Sequence, residues 1–366
     1  MKRPNEVKIN GKRLATWLNS AGNNIDGNVL NIKVIEKVDF SKYDFNKKHF
    51  ANITFNYCRF EKAEFAFAAF ENCIFNGCNF ESADMYGCYI TKSDFTNCKF
   101  WYAVMLDATI TESTLSLDNF SGANVRTTTV KNSNLAQCNF SNSNLTESVF
   151  MNSAIRMCSF DQANLCKVLF NNVGIQNSSF RVASLVRASF DAVCFTQVSD
   201  FEGANFFQSY FYDTNLNVSN MLGANLSSAI IITIDKNPDS KKLPFMPMVC
   251  PEEGSFIAWK KVWCPELKDY ILAKLEIPAN AKRCSGTGRK CRASRAKVLE
   301  FQTVGGKKLP DTLVATPLWG FFYGTLTYKV GKTVVAKNFD PNRWQTCSRG
   351  IHFFLTKDEA KRYQKQ

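Results

Sequence analysis

From Phe40 to Ile231 a large apolar residue returns every five residues, a period that no helix and no flat strand has. Counting on from Phe40, the fives land on Phe45, Phe50, Phe55, Phe60, Phe65, Phe70, Phe75 and Phe80. They continue through Met85, Ile90, Phe95 and Phe100 to Phe195. So strict a period marks a repeat architecture. Two residues ahead of each centre the chain is small: Cys58, Ala63, Ala68, Cys73, Cys78, Ala83, Cys88, Ser93. Each pentad therefore offers one large and one small residue to an interior, and three polar ones to solvent. Every fourth centre is Phe: Phe40, Phe60, Phe80, Phe100, Phe120, Phe140, Phe160 and Phe180. That second period of 20 predicts four pentads to a coil, with this Phe column stacked at one inner position. After Phe195 the phase slips by one residue, yet Phe201 keeps the column. A bulged corner over 196–200 is expected to absorb the extra residue inside one continuous coil.

The triplets Ala83-Asp84-Met85, Ala123-Asn124-Val125, Ser143-Asn144-Leu145, Ala163-Asn164-Leu165 and Ala224-Asn225-Leu226 resemble the pentapeptide-repeat family. The resemblance covers residues 38–235. It implies a right-handed, four-sided β-helix of about ten coils, consistent with the period of 20. Stacked at an inter-strand spacing of about 4.8 Å, ten coils make a rod of roughly 45 Å. Repeats touch only their neighbours, so the ends need caps. Residues 1–37, with a short helix over Gly11–Leu18 and strands within Val29–Val38, are expected to cap the N-terminal end.

Charge divides the chain. Residues 1–235 are net −1 and residues 236–366 net +14, so the C-terminal third holds the whole excess of +13. No apolar run reaches about 18 residues, which argues against a membrane-spanning helix. The start, Met1-Lys2-Arg3-Pro4, has no apolar segment behind it, so a cytoplasmic protein with reduced thiols is expected from its 14 Cys. Seven of these (Cys58, Cys73, Cys78, Cys88, Cys98, Cys138, Cys158) occupy the small inward position, where Cys reads as a small hydrophobe.

The period of 20 also aligns acids. Asp44, Glu64 and Asp84 share one position in three successive coils, and Glu61 and Glu81 share another. Carboxylates about 5 Å apart repel one another unless water, salt or a cationic partner intervenes. The ladder is thus either a solvated face or a docking face for a basic partner.

Residues 236–254, with Pro238, Pro244, Pro247 and Pro251, read as a linker. Residues 255–366 read as a basic, mostly sheet α+β domain. Strands are expected over Phe256–Val262, Tyr270–Ile277, Ala296–Val304 and Gly350–Leu355, and a hairpin over Gly324–Val335 turning at Gly331-Lys332. A final helix is expected behind a capping box of Thr356 and Glu359. The runs Arg289-Lys290-Cys291-Arg292-Ala293-Ser294 and Cys347-Ser348-Arg349-Gly350-Ile351-His352 resemble an uncharacterised domain. It follows pentapeptide repeats in proteins of phages and large DNA viruses. The resemblance implies a viral origin, hence host cytoplasm, and no chemistry.

Within that domain, residues 282–297 read as a basic loop. Lys282, Arg283, Arg289, Lys290, Arg292, Arg295 and Lys297 surround Ser285-Gly286-Thr287-Gly288 with no acid among them. Basic side chains around a glycine-rich backbone suit phosphate, although the P-loop order is absent. Such a loop binds nucleic acid, docks on the acidic rungs of the rod, or is solvated. Trp259, Trp263, Trp319, Phe321, Phe322, Tyr323 and Trp344 read as core, or as stacking platforms for single strands. Cys347 and His352 make a weak nucleophile pair without an orienting group, and Cys284 and Cys291 lack zinc-ligand spacing.

The sequence therefore predicts a non-enzymatic interaction protein with no cofactor and no metal. Its rod docks a protein partner through the acidic rungs. DNA mimicry is one form of this, since some pentapeptide-repeat proteins mimic duplex DNA and occupy DNA topoisomerases. The alternatives are nucleic-acid binding through residues 282–297, and an enzyme with its site in the C-terminal domain.

Overall fold

The computed structural model describes residues 22–30, 32–214, 219–232, 248–286, 288–317, 326–343 and 348–363. The expected helix at Gly11–Leu18, most of the linker, and Trp319, Phe321, Phe322, Tyr323, Trp344 and Cys347 lie outside the described residues. The chain divides into two compact units, one built on the repeats and one C-terminal.

The repeat unit is a β-solenoid of about ten turns. Three-residue strands stack in parallel with partners 20 residues apart, as in Phe55↔Phe75 and Val130↔Phe150. One ladder runs from Asn24–Asp26 to Ile230–Ile232, a second from Val34–Glu36 to Cys194–Thr196. The other two sides are joined by single bridges, such as Arg59↔Asn79 and Glu64↔Asp84. Both ladders begin ahead of Phe40, where the period first becomes readable.

Each described pentad centre points inward and is buried, and Phe fills most of the first three coils. In the column from Phe40 to Phe201, neighbouring rings stack with centroids 4.5–5.2 Å apart. Gln176↔Thr196 are still 20 apart, whereas Ser179↔Asp200 are 21 apart. The extra residue therefore lies between Thr196 and Asp200, and the rings of Phe180 and Phe201 still stack at 4.8 Å.

Two corner rules complete the coil. Among the described residues, the one two after each centre has positive φ, as at Lys42 (63°), Lys47 (61°), Asn52 (58°) and Tyr57 (54°). A side chain there costs about 1–2 kcal/mol, which explains the Gly at 77, 87 and 122. The inward small residues obey a second rule. At Ala63 and Ala68 the N–H finds a backbone carbonyl, of Phe60 and Phe65. At the other two corners the acceptor comes from a side chain one coil on: Cys73 N–H bonds Ser93 Oγ at one, and Cys158 N–H bonds Ser178 Oγ at the other. Hence Ala prevails at two corners and Ser or Cys at the others. The inward Cys are more than small hydrophobes, since Cys78 and Cys98 Sγ donate to the carbonyls of Phe55 and Phe75.

The C-terminal unit holds a four-stranded antiparallel sheet in the order Phe256–Cys264, Asp269–Ile277, Arg295–Thr303, Thr333–Val335. A second sheet joins Arg283–Ser285, Cys291–Ala293 and Ile351–Phe353. Cys250 is buried in the shared core with Met248 and Val249 packed on it, so residues expected in the linker belong to this unit. The expected hairpin around Gly331 does not form. Thr333–Val335 pairs with Arg295–Lys297, while Tyr328–Lys329 pairs with Val314–Ala315. The turn is there, with Gly331 at φ 78°, but it passes the chain from one sheet to another. The helix Lys357–Arg362 carries the capping box of Thr356 and Glu359 in full. No described helix is long and apolar enough to cross a membrane.

Candidate interaction surfaces

On the side of the coil centred on Phe45, Phe65, Met85 and Met105, the residues flanking each centre face outward. Asp44, Glu64 and Asp84 form one bridged column there, all exposed. Their hydrogen bonds are local. Asp44 accepts from the N–H of Asn46, Glu64 from the Asn46 amide, and Asp84 from the N–H of Tyr86. Among the described residues none of the three is ion-paired with Lys or Arg. The column then changes character: the next residues in it are Val104 and Asn124.

Glu61 and Glu81 follow Phe60 and Phe80, and so lie on the adjoining side. Glu61 is spoken for. Arg59 reaches it at 2.6 Å, Ser41 Oγ and the Asn79 amide also donate to it, and the guanidinium holds its carboxyl below the usual range. Arg59 in turn lies 3.4 Å from Asp39.

Beside the acid column the neighbouring position is Asn46 next to Asp44 and turns apolar from the following coil on. Ala66, Tyr86 and Leu106 occupy the position after each centre, and Phe67 meets Tyr86 edge-on with centroids 5.0 Å apart. Phe67 is 49% and Tyr86 37% exposed. Sequence reasoning found the acids and missed this neighbour, though the same period of 20 aligns it.

Among the described residues of the rod interior, one carboxylate breaks the pattern. Asp118 stands in the Cys58–Cys78–Cys98 column, 1% exposed. Its Oδ1 accepts the Cys98 N–H at 2.7 Å, as a Ser would, while Oδ2 has no partner. Burial pushes its carboxyl up to about 7. Nearby, a cavity of about 10 Å³ opens among Val125, Val130, Leu135 and Phe150, where smaller centres replace Phe.

In the C-terminal unit the expected basic loop is instead mostly strand, and two of its arginines, Arg283 and Arg292, are bound inward. Arg283 donates to the carbonyls of Pro278, Ala279, Ala281, Pro251 and Gly254. Arg292 is 2% exposed and donates to the carbonyls of Arg349 and Asn342, so no phosphate reaches it. Arg289 pairs with Glu359 at 2.5 Å. Lys290 lies over the Tyr363 ring. Lys282, Arg295 and Lys297 are exposed, the last two on one face of their strand.

His352 Nε2 donates to the Ser348 carbonyl at 2.8 Å, and burial pushes the ring down to about 3, where it is neutral. Lys260 donates to the His352 carbonyl, and burial pushes its ammonium down to about 8. Among the described residues no group of His, Cys, Asp and Glu is placed to hold a metal ion.

Residues 63–101, 119–153 and 131–166 match the pentapeptide repeats, and residues 246–360 match a family of unknown function (DUF5758). The chain thus carries pentapeptide repeats, followed by a domain that matches that second family. Solved structures of similar fold include HetL, a pentapeptide repeat protein involved in heterocyst differentiation regulation from the cyanobacterium Nostoc sp. strain PCC 7120. It is 14% identical over 61% of this chain and 97% of that one, with a TM-score of 0.27. QnrB1, a plasmid-mediated fluoroquinolone resistance protein, is 13% identical over 58% of this chain and 91% of its own, with a TM-score of 0.24. Rfr23 from the cyanobacterium Cyanothece 51142 is 11% identical over 44% and 97%, with a TM-score of 0.22. No curated protein matches the chain.

Proposed function

We propose that this protein is a non-enzymatic docking scaffold whose rod engages a basic protein surface through Asp44, Glu64 and Asp84. The observation that carries the reading is the bridged column itself: three exposed carboxylates in register, without a basic partner among the described residues. Bringing up a cationic surface relieves the mutual repulsion of these acids, so charge complementarity supplies both attraction and orientation. A rigid rod adds little ordering entropy to the encounter. Glu61 contributes less, because Arg59 already neutralises it.

In its DNA-mimic form, the rod occupies the duplex-binding groove of a DNA topoisomerase. A supercoiling assay with and without added rod tests that form. Inhibition by the wild type, lost in the Asp44→Asn, Glu64→Gln, Asp84→Asn triple variant, supports mimicry. Equal inhibition by both removes the acid column from the account.

A second reading, nucleic-acid binding through the C-terminal unit, is supported by the exposure of Arg295 and Lys297 on one strand face beside Lys282. It draws on three or four basic residues rather than the seven expected from the sequence.

A further inference from the structure

We infer that the same side of the rod recognises a cationic segment that also carries apolar side chains, because an apolar shelf lies directly beside the acid column. This rests on the docking reading above and adds the chemistry of the partner. Tyr86 and Leu106 stack in one position of successive coils, with Val104 following Asp84 in the neighbouring column.

The coil does not demand apolar residues there. The next three equivalent positions are Arg126, Thr146 and Cys166 beside Asn124, Asn144 and Asn164, and apolar residues return only at Val186 and Phe207, beside Ser184 and Asn205 and away from the acids. Phe67 is different, since its ring packs on Gly87, but it too leaves half its surface to solvent and meets Tyr86 edge-on. Scattered exposed hydrophobics need no explanation, whereas adjoining ones on consecutive rungs mark a contact surface.

The carboxylates commit the occupant. They repel phosphate and attract Lys and Arg, while the shelf removes apolar surface from water. A segment with basic residues over Asp44, Glu64 and Asp84, and an aromatic or aliphatic side chain over Tyr86 and Leu106, satisfies both halves. A nucleic acid satisfies neither, and a purely basic tail leaves the shelf wet. Acids and shelf span only the first four coils, roughly 15 Å along the rod. An extended segment of about five residues covers that length.

The test uses the full chain and three labelled peptides of about ten residues, alternating Lys–Phe, Lys–Ser and Glu–Phe, with affinities read by fluorescence anisotropy. The wild type is expected to bind Lys–Phe about tenfold more tightly than Lys–Ser, and Glu–Phe not at all. Replacing Tyr86→Ser with Leu106→Ser lowers Lys–Phe affinity to that of Lys–Ser. Tyr86→Phe retains it, which separates lost contact from lost fold. The control pair Ile74→Ser and Tyr89→Ser, on other sides of the rod, leaves all three affinities unchanged. Equal affinity for Lys–Phe and Lys–Ser overturns the inference, as does an equal loss from the control pair. If the acid triple variant still abolishes binding in either case, the docking reading survives without the shelf. If it changes nothing, both fall.

Discussion

The ring of Phe67 lies across Gly87: a Cβ built on Gly87 comes within 2.8 Å of Phe67 Cδ1. Tyr57 covers Gly77 and Tyr102 covers Gly122 in the same way. At these corners an aromatic in the left-handed conformation is supported by a glycine in the next coil, which has room for the ring and no strain of its own.

Gly87→Ala is therefore expected to cost about 1–2 kcal/mol, from both positive φ and the displaced ring. With Phe67→Ala in place the steric part disappears. Chemical denaturation of the single and double variants should give a sum smaller than additive. Additivity would mean that the ring and the glycine are independent.

The Phe column sets a larger effect. Phe120 stacks between Phe100 and Phe140 at 4.5 and 4.6 Å. Phe120→Ala should cost about 3–5 kcal/mol. Thr114→Ala on the outside should stay within about 0.5 kcal/mol. Asn119 is a poorer control, because its Oδ1 accepts the Ser121 N–H. Conversely, Val130→Ile fills part of the neighbouring cavity and should stabilise by about 1 kcal/mol. Equal costs for Phe120→Ala and Thr114→Ala would contradict the assigned register.

Asp118 gives a pH prediction. Burial raises its folded-state value to about 7, above the unfolded value of 3.8. The native state thus holds the proton longer. This group's contribution is complete below about pH 4, declines as pH rises, and levels off above about pH 7. Asp118→Ser keeps an acceptor for the Cys98 N–H and removes the ionisable group. The variant should be more stable than wild type at pH 8 by about 2–4 kcal/mol, with the gain shrinking toward pH 4. A gain independent of pH would show that Asp118 does not titrate in this range.

Much of the rod was legible because its period is long-lived and each pentad reports the same inward position. Phe40 to Phe180 could be read from spacing alone, and the acid column came with it. The corner chemistry was not legible. Nothing in the word Ser93 says that its hydroxyl receives an N–H from the previous coil, and nothing in Asp118 flags a buried carboxyl until its column is compared with Cys98 and Cys138. In the C-terminal unit the four expected strands and the capped helix are present, and the basic loop was misread for another reason. Arg283 and Arg292 look like solvent-facing charge, but their guanidinium groups satisfy backbone carbonyls, so a pair of strands was hidden as a basic loop.

That difference separates two kinds of arginine experimentally. Arg292→Ala leaves two carbonyls unpaired and should cost about 3 kcal/mol of stability in denaturation. Arg295→Ala with Lys297→Ala should leave stability nearly unchanged. If the unit binds nucleic acid, the pair should flatten the slope of log affinity against log salt by about 1.5. No binding by the wild type at low salt would end the nucleic-acid reading.

The docking account is tested most directly by zero-length carbodiimide cross-linking in a cell extract, with the joined residues identified by peptide mass spectrometry. This chemistry links a carboxylate only to an amine in contact with it. The account predicts partner lysines joined to Asp44, Glu64 and Asp84, and loss of that partner in the neutralised triple variant. Cross-links spread over Asp94, Glu112 and Asp191, unaffected by the triple variant, would contradict it.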